Sequence, residues 1–298
     1  TLNYKEVATD KEDAALKVTL KGLKGGHSGL EIHEGRANAN KLMVRFVYDA
    51  ISKVGAKLAS WEGGNMRNAI PREAHVTLLV PPANEAKLTE LASKYEKLFN
   101  EELKGIEEGI TLRVEKTEKP KGIVPAEIQD NLIDAIYACQ NGVTRMIPSM
   151  MDTVETSSNL AIITIGEGKA SFQILARSSN EDMKEYLTNS LTACFNMAGM
   201  KVVTEGGYAG WQPDFDSPIL AAMVESYKQQ FGVEAKVVVV HAGLECAVIG
   251  ATVHGLDMIS FGPTLRSPHT PSEKANIPST KKFYEFLVAT LANTPIKK

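Results

Sequence analysis

In the first third of the chain, segments with the two-residue hydrophobic period of a half-buried strand are followed by segments with the 3.6-residue period of an amphipathic helix. Alternation predicts strands over residues 15–23, 58–62 and 75–80, and a closing strand over residues 110–115. Helical spacing of apolar residues predicts helices over residues 34–54 and 85–103. The order β-α-β-β-α-β is that of a ferredoxin-like unit.

Residues 125–205 follow a similar course and indicate a diverged second unit. We expect helices over residues 128–139 and 181–198, and a strand pair, 161–165 with 171–175, joined by the Gly-rich turn between them. A last strand over residues 201–204 would close this unit. The repeat is inferred from the pattern alone, because identity between the two halves is slight.

The pattern changes from residue 206 onward, where a turn-rich segment leads into α/β patterning. Residues 235–240 form a nearly unbroken Val run, which is typical of a strand buried on both faces of a parallel sheet. A second buried strand is predicted over residues 257–261, and helices over residues 217–231, 246–249 and 280–291. The fold class is therefore α+β followed by α/β, with a pseudo-repeat (14–119 and 125–205) and a separate α/β region (206–298).

Composition narrows the classes of function. The net charge of −3 makes nucleic acid or an anionic membrane an unfavoured partner. Three widely spaced cysteines without a CxxC pair argue against a disulfide framework or a Cys-zinc site and favour the cytoplasm. The sequence contains no apolar run long enough to predict a transmembrane helix.

Three motifs carry candidate chemistry. GPTLRSPHTPSE (262–273) holds His269 between prolines just after a predicted strand, where an imidazole is well placed to bind metal. KGLKGGHSG (21–29) holds His27 among glycines, and GGNMRNAIP (63–71) holds Asn68 before a strand. From the residues alone, each of the three could equally be an ordinary turn or capping residue.

In this order and spacing, the three motifs resemble the zinc dipeptidases of the aminoacylase and glutamate-carboxypeptidase family. The phrases RNAIPREA, GWQPD and HAGLEC strengthen the resemblance, which is greatest to the members that cleave Xaa-His dipeptides. The resemblance covers nearly all of the chain. It implies a metallopeptidase that hydrolyses dipeptides, including carnosine-like substrates, with two zinc ions that cobalt or manganese could replace.

The same resemblance implies that most metal ligands belong to an N-terminal catalytic half with no counterpart here. On this view residues 1–13 are a connector, residues 14–205 are a lid, and residues 206–298 are the C-terminal part of the catalytic domain. The missing half would be a required partner, and this chain by itself would be inactive.

The resemblance also implies roles for individual residues. His269 would bind zinc, and His27 would reach the scissile carbonyl and stabilise the developing oxyanion. Asn68 would contact the substrate, and Asn159 is its counterpart in the second unit. Arg177, which follows a predicted strand, would hold the C-terminal carboxylate of the dipeptide.

His241, Gly243 and Glu245 would line the substrate pocket, although an acid such as Glu245 is also favoured in the first turn of a helix. Two other functions stay open at this point. The chain could be a non-catalytic lid or dimerisation module, with a homodimer as its assembly. It could also belong to an aminoacylase or carboxypeptidase of the same fold.

Overall fold

The computed structural model describes residues 1–239, 244–266 and 273–293. The chain divides into two compact units, Thr1–Gly207 and Tyr208–Lys298. The first unit contains, in chain order, β1 (Leu2–Asn3), β2 (Val7–Ala8), β3 (Ala14–Lys21), β4 (Gly26–His27), α1 (Ala39–Asp49), β5 (Lys57–Gly63), β6 (Ala69–Ile70), β7 (Ala74–Val80), α2 (Glu85–Glu102), β8 (Thr111–Lys116), β9 (Gly122–Ile123), α3 (Ala126–Ala138), β10 (Gly142–Ile147), β11 (Met150–Gly166), β12 (Lys169–Ser178) and α4 (Glu181–Met197). A π-helical turn (Ala50–Val54) continues α1, and a 3-10 turn (Pro82–Asn84) precedes α2.

The first lobe, residues 14–116, has the ferredoxin-like fold that its hydrophobic pattern predicts. Its strands lie in the order β5-β7-β3-β8, and every neighbouring pair is antiparallel. Both central strands bury apolar side chains such as Val18, Leu20 and Leu78 against the helices. Asn38 begins α1 as its N-cap, because its side chain accepts from the amides of Asn40 and Lys41.

The second lobe, residues 122–197, is built on the long strand β11. One edge of β11 pairs with β12, and the other edge is shared between β10 and β5. The pairing with β5 joins the two lobes into one continuous eight-stranded sheet. Since α1 packs against α2 and α3, and α3 packs against α4, the four helices form a single layer over this sheet.

The prediction of a closing strand over residues 201–204 is wrong. The edge of the sheet beside β12 is taken instead by β1, whose Leu2 and Asn3 pair with Ala170 and Lys169. Thr1 and Lys201 exchange two hydrogen bonds of 2.8 Å, and residues 201–204 are irregular. We expected residues 1–13 to be a connector. Leu2 and Asn3 of this segment are instead a strand of the second lobe's sheet.

The second unit contains α5 (Pro218–Phe231), α6 (Glu245–Thr252), β13 (Leu265–Arg266), β14 (Lys274–Ala275) and α7 (Ile277–Ala292). The buried strands predicted over residues 235–240 and 257–261 are not found: residues 235–239 and 257–261 are irregular. A central strand of a parallel sheet needs a hydrogen-bonded neighbour on each edge, and the described part of this unit offers only the pair β13–β14. Within the described ranges, every helix is too short or too polar to cross a membrane.

Candidate functional site

The motifs that contain His27 and Asn68 are distant in the sequence but meet in one short ladder. β4 pairs with β6, so that His27 lies opposite Ala69 and Gly26 lies opposite Ile70. The amide of Ser28 donates to the carbonyl of Asn68 at 2.9 Å, which extends the ladder by one step. The ladder therefore places His27 and Asn68 on adjacent segments.

The hydrogen bonds of the His27 ring determine which of its nitrogens carries the proton. Nδ1 accepts from the amides of Gly29 and Leu30, both at 3.1 Å. A nitrogen that accepts cannot carry the proton in the neutral ring, so the proton is assigned to Nε2. Nε2–H is then a donor in a fixed direction, which suits a carbonyl oxygen or a developing oxyanion better than a metal ion.

The turn before His27 depends on Gly26. Its φ of 143° lies in the region that favours glycine. A Cβ atom at this position would also meet the guanidinium of Arg36 and the carboxylate of Glu31. These two groups form an ion pair of 2.7 Å, and Glu31 also accepts from the His27 amide at 2.6 Å. The backbone at His27 is thereby held on both sides.

A buried carboxylate closes the base of the loop that carries His27. Glu107 is 2% exposed, and its two oxygens accept from the amides of Lys24 at 2.8 Å and Ala37 at 3.0 Å. These two residues are the ends of the loop 24–37, which we call the histidine loop. Sequence analysis missed Glu107, because it stands in a charged run that is typical of a solvated surface.

Arg177 lies on the sheet face that also carries Asn159. It is directly opposite Ser157 on β11, and Leu175 is directly opposite Asn159, with no register shift between them. Residues two apart on a strand share a face, so these four side chains point the same way. Nε of Arg177 is buried and has no hydrogen-bond partner among the described residues, so the guanidinium has donor capacity to offer a ligand.

Asn68 and Asn159 differ in exposure. The Asn68 side chain is exposed beside His27 and is free of any hydrogen bond within the described residues. Asn159 is 1% exposed and donates to the carbonyls of Ala69 at 2.8 Å and Arg67 at 3.3 Å. The expected contact of Asn68 with substrate is sterically open, whereas both donors of the Asn159 amide are occupied.

The remaining candidates lie in or near the second unit. Glu245 is exposed and is the first residue of α6, where the helix dipole favours an acid. His241, Gly243 and His269 lie outside the described residues, so their expected roles in the pocket and in zinc binding stay predictions. The part of the chain that the structure describes contains no cluster of three or more His, Cys, Asp or Glu side chains that could hold a metal ion.

Cys139, the fully buried cysteine, is not a candidate nucleophile. All three cysteines are free thiols, and burial raises the pKa of Cys139 to about 12. A thiol with so high a pKa is protonated at neutral pH, and the thiolate is the reactive form. The candidate chemistry of the first unit therefore lies with His27, Asn68 and Arg177.

Comparison with known proteins places the chain among peptidases and similar hydrolases by sequence. Residues 18–107 match the peptidase dimerisation domain. The chain is 36% identical over 281 residues to the cytosol non-specific dipeptidase of Escherichia coli (strain K12), which is 94% of this chain and 58% of that protein. A weaker match, 23% over 144 residues, is to the succinyl-diaminopimelate desuccinylase of Sulfurovum sp. (strain NBC37-1), covering 48% of this chain and 39% of that protein.

Among solved structures, the aminoacylhistidine dipeptidase from Vibrio alginolyticus superposes with a TM-score of 0.92 at 38% identity. The match covers 100% of this chain and 61% of that one. The chain thus spans about three fifths of the length of these two dipeptidases. Sequence and fold together show that the chain contains a peptidase dimerisation domain and has the fold of these dipeptidases over the part that it covers.

Proposed function

We propose that the chain supplies the substrate-binding and oxyanion-stabilising groups of a dipeptide hydrolase. His27 would donate from Nε2 to the oxygen of the scissile carbonyl as negative charge develops on it. Asn68 would bind the substrate beside it, and Arg177 would hold the C-terminal carboxylate by two parallel hydrogen bonds. The observation that carries this proposal is the pair of amide hydrogen bonds to Nδ1 of His27, which leaves Nε2–H as the donor.

The proposed substrates are dipeptides, with Xaa-His dipeptides of the carnosine type as the first class to test. The names of the two dipeptidases support dipeptides in general and aminoacyl-histidine in particular. Recognition of a free carboxylate by Arg177 favours short peptides over internal peptide bonds. An aminoacylase or carboxypeptidase of the same fold is the alternative, and its substrates would also carry a carboxylate.

The resemblance further implies two zinc ions, with cobalt or manganese as substitutes. The described residues do not provide a ligand set for them, so their expected ligand His269 and the other ligands would lie elsewhere. The roles proposed for His27, Asn68 and Arg177 do not depend on which metal is bound. We also propose that residues 14–205 act as the lid and residues 206–298 as part of the catalytic domain, in a cytoplasmic enzyme.

Two assays test this function. The chain alone, supplied with zinc or manganese, is expected to leave Xaa-His dipeptides intact, because its described residues hold no ligand cluster. In the enzyme assembled with its metal-binding part, a dipeptide is expected to be cleaved with a far higher kcat/KM than its C-terminal amide. Robust metal-dependent turnover by the chain alone would contradict the first expectation, and equal rates on acid and amide would contradict the second.

The second candidate function is a non-catalytic one, dimerisation through the lid. It is favoured by the match of residues 18–107 to a peptidase dimerisation domain. Sedimentation equilibrium of the chain distinguishes a homodimer from a monomer. A homodimer would be compatible with the catalytic proposal, because residues of the lid can serve both assembly and substrate binding.

A further inference from the structure

We propose that Asn159 is a positioning residue, which fixes the span between Arg177 and the His27–Asn68 ladder by bracketing the backbone of Asn68. This inference rests on the proposed function and gives Asn159 a role different from the substrate contact expected for it. Asn159 acts through the loop 67–69 of the first lobe, although it belongs to the second lobe. The dipeptide length that the site accepts then depends on a residue that the substrate does not touch.

The side-chain amide of Asn159 holds the loop 67–69 by two hydrogen bonds. A side-chain amide has two N–H donors. Nδ2 of Asn159 donates to the carbonyls of Arg67 and Ala69, at 3.3 Å and 2.8 Å, which are the residues on either side of Asn68. The backbone on both sides of Asn68 is therefore tied to β11, while its side chain stays exposed.

A second asparagine contacts the other end of the Asn159 amide. Nδ2 of Asn38 donates to Oδ1 of Asn141 at 2.9 Å, to the carbonyl of Leu160 at 3.1 Å and to Oδ1 of Asn159 at 3.2 Å. Oδ1 of Asn38 is held in turn by the amide of Asn40 at 2.9 Å, at the start of α1. The carbonyl oxygens of the loop 67–69 can only accept, so Nδ2 of Asn159 must face them, and its Oδ1 then faces the donor of Asn38. The orientation follows from the network and is not a free choice.

The strand pair β11–β12 connects Asn159 to Arg177. Arg177 shares a sheet face with Asn159 and lies one side-chain repeat away, about 7 Å along the strand. The strand pair is a rigid element, so Arg177 is fixed relative to Asn159. Since Asn159 also holds the loop 67–69, it helps to set the distance from Arg177 to His27 and Asn68. Loss of its donors would let the ladder move against the carboxylate-binding group.

The network offers a matched control. Oδ1 of Asn141 accepts from Asn38 and from the amide of Leu160 at 2.9 Å, so Asn141 belongs to the same cluster. It makes no hydrogen bond to the loop 67–69 among those of the described residues. Asn141→Ala therefore disturbs the cluster without cutting the bracket around Asn68.

The first experiment is amide hydrogen exchange on this chain, with the Ser28 amide as reporter, because it donates to the carbonyl of Asn68. Asn159→Ala is expected to speed exchange at Ser28 by about tenfold, since two hydrogen bonds to the loop are lost. Asn159→Asp keeps the side-chain shape and the acceptor for Asn38 but removes both donors, and it is expected to give a similar increase. Exchange at Ser28 no faster in either variant than in Asn141→Ala would overturn the proposal.

The second experiment is kinetic and uses the assembled enzyme. Asn159→Ala is expected to lower the preference for a dipeptide over the corresponding tripeptide by about tenfold in kcat/KM, while Asn141→Ala keeps it. An unchanged preference in Asn159→Ala would overturn the positioning role. If His27→Ala and Arg177→Met left hydrolysis intact while Ser28 still exchanged faster in Asn159→Ala, the proposed function would fail and the bracket would stand.

Discussion

The carboxylate of Glu107 accepts a hydrogen bond of 3.0 Å from the amide of Ala37, which stands 70 positions earlier in the chain. The other carboxylate oxygen accepts from the amide of Lys24 at 2.8 Å. One side chain from the segment after α2 thus joins both ends of the histidine loop. Without it, two backbone amides at the base of the loop would lose their acceptor.

Glu107→Ala is therefore expected to destabilise the first unit by about 3–6 kcal/mol, because it removes two hydrogen bonds to a charged group, which contribute about 1.5–3 kcal/mol each. Urea denaturation measures the free energy of unfolding. Glu108→Ala is the control, since Glu108 is exposed, and surface changes stay within about 0.5 kcal/mol. Equal stability of the two variants would show that the carboxylate does not hold the loop.

His27→Ala in the assembled enzyme is expected to lower kcat by about 10²–10³ and to leave bound metal unchanged, because an oxyanion donor is lost and a metal ligand is not. His33→Ala, an exposed histidine of the same loop, should have little effect on either quantity. His269→Ala should instead reduce bound metal. Metal analysis beside steady-state kinetics separates these cases, and depletion of metal by His27→Ala would mean that the two roles are reversed.

Arg177→Met is expected to raise KM for a dipeptide by about 10- to 100-fold, the loss of a charge-assisted pair of hydrogen bonds. Arg177→Lys should recover only part of this affinity, because an ammonium cannot bind a carboxylate with the same two-pronged geometry. A dipeptide amide serves as the internal comparison, since it lacks the carboxylate. If its KM rose as much as that of the acid, Arg177 would not be the carboxylate-binding group.

The stability of the second unit is expected to depend on pH through Asp257. Its carboxylate accepts from Oγ of Ser217 at 2.6 Å and from the amide of Ile219 at 2.8 Å, at the start of α5. The hydrogen bond from Ser217, followed by that from Ile219, lowers the pKa of Asp257 below its usual value. A lowered folded-state pKa stabilises the fold above the unfolded-state value of about 3.9, and this contribution is lost as pH falls through the folded-state pKa.

Asp257→Asn is therefore expected to lower the thermal midpoint of the second unit at pH 7, and the difference from the unchanged chain should shrink toward pH 3. Circular dichroism melts across this range follow the helices. Asp216→Asn is a nearby exposed control. A difference of the same size at both ends of the range would mean that the ionised carboxylate does not cap α5.

The fold of the first lobe was predictable from the sequence. The positions that the strand and helix periods assign to the interior are buried in the structure, as at Val18 and Leu78. The length of β11 was not, since residues 155–159 are polar, and a polar run indicates a loop. These side chains are nevertheless buried, because Glu155 pairs with Arg145 at 2.7 Å and Asn159 joins the asparagine cluster. Burial of a polar side chain depends on partners distant in sequence, and local pattern carries no signal for them.

For the candidate site, the sequence could identify which residues carry the chemistry. It could not predict which residues lie next to them in the fold. The glycines around His27 point to a tight turn, but the pairing of His27 with Ala69 needs the fold. The signal for Asn38 was present, because an asparagine before an amphipathic helix is typical of an N-cap. Its second role, as the donor to Asn159, could not be deduced, since the two residues stand 121 positions apart.

The pairing of Leu2 with Ala170 has a kinetic consequence. During synthesis, the first strand leaves the ribosome long before its partner exists. At about 5–20 residues per second, the wait is on the order of ten seconds or more. The first lobe can complete its own ladders in that time, whereas the outer edge at β12 must close last, over a large loop. A chain interrupted before residue 169 would therefore leave Leu2 and Asn3 without their partner strand.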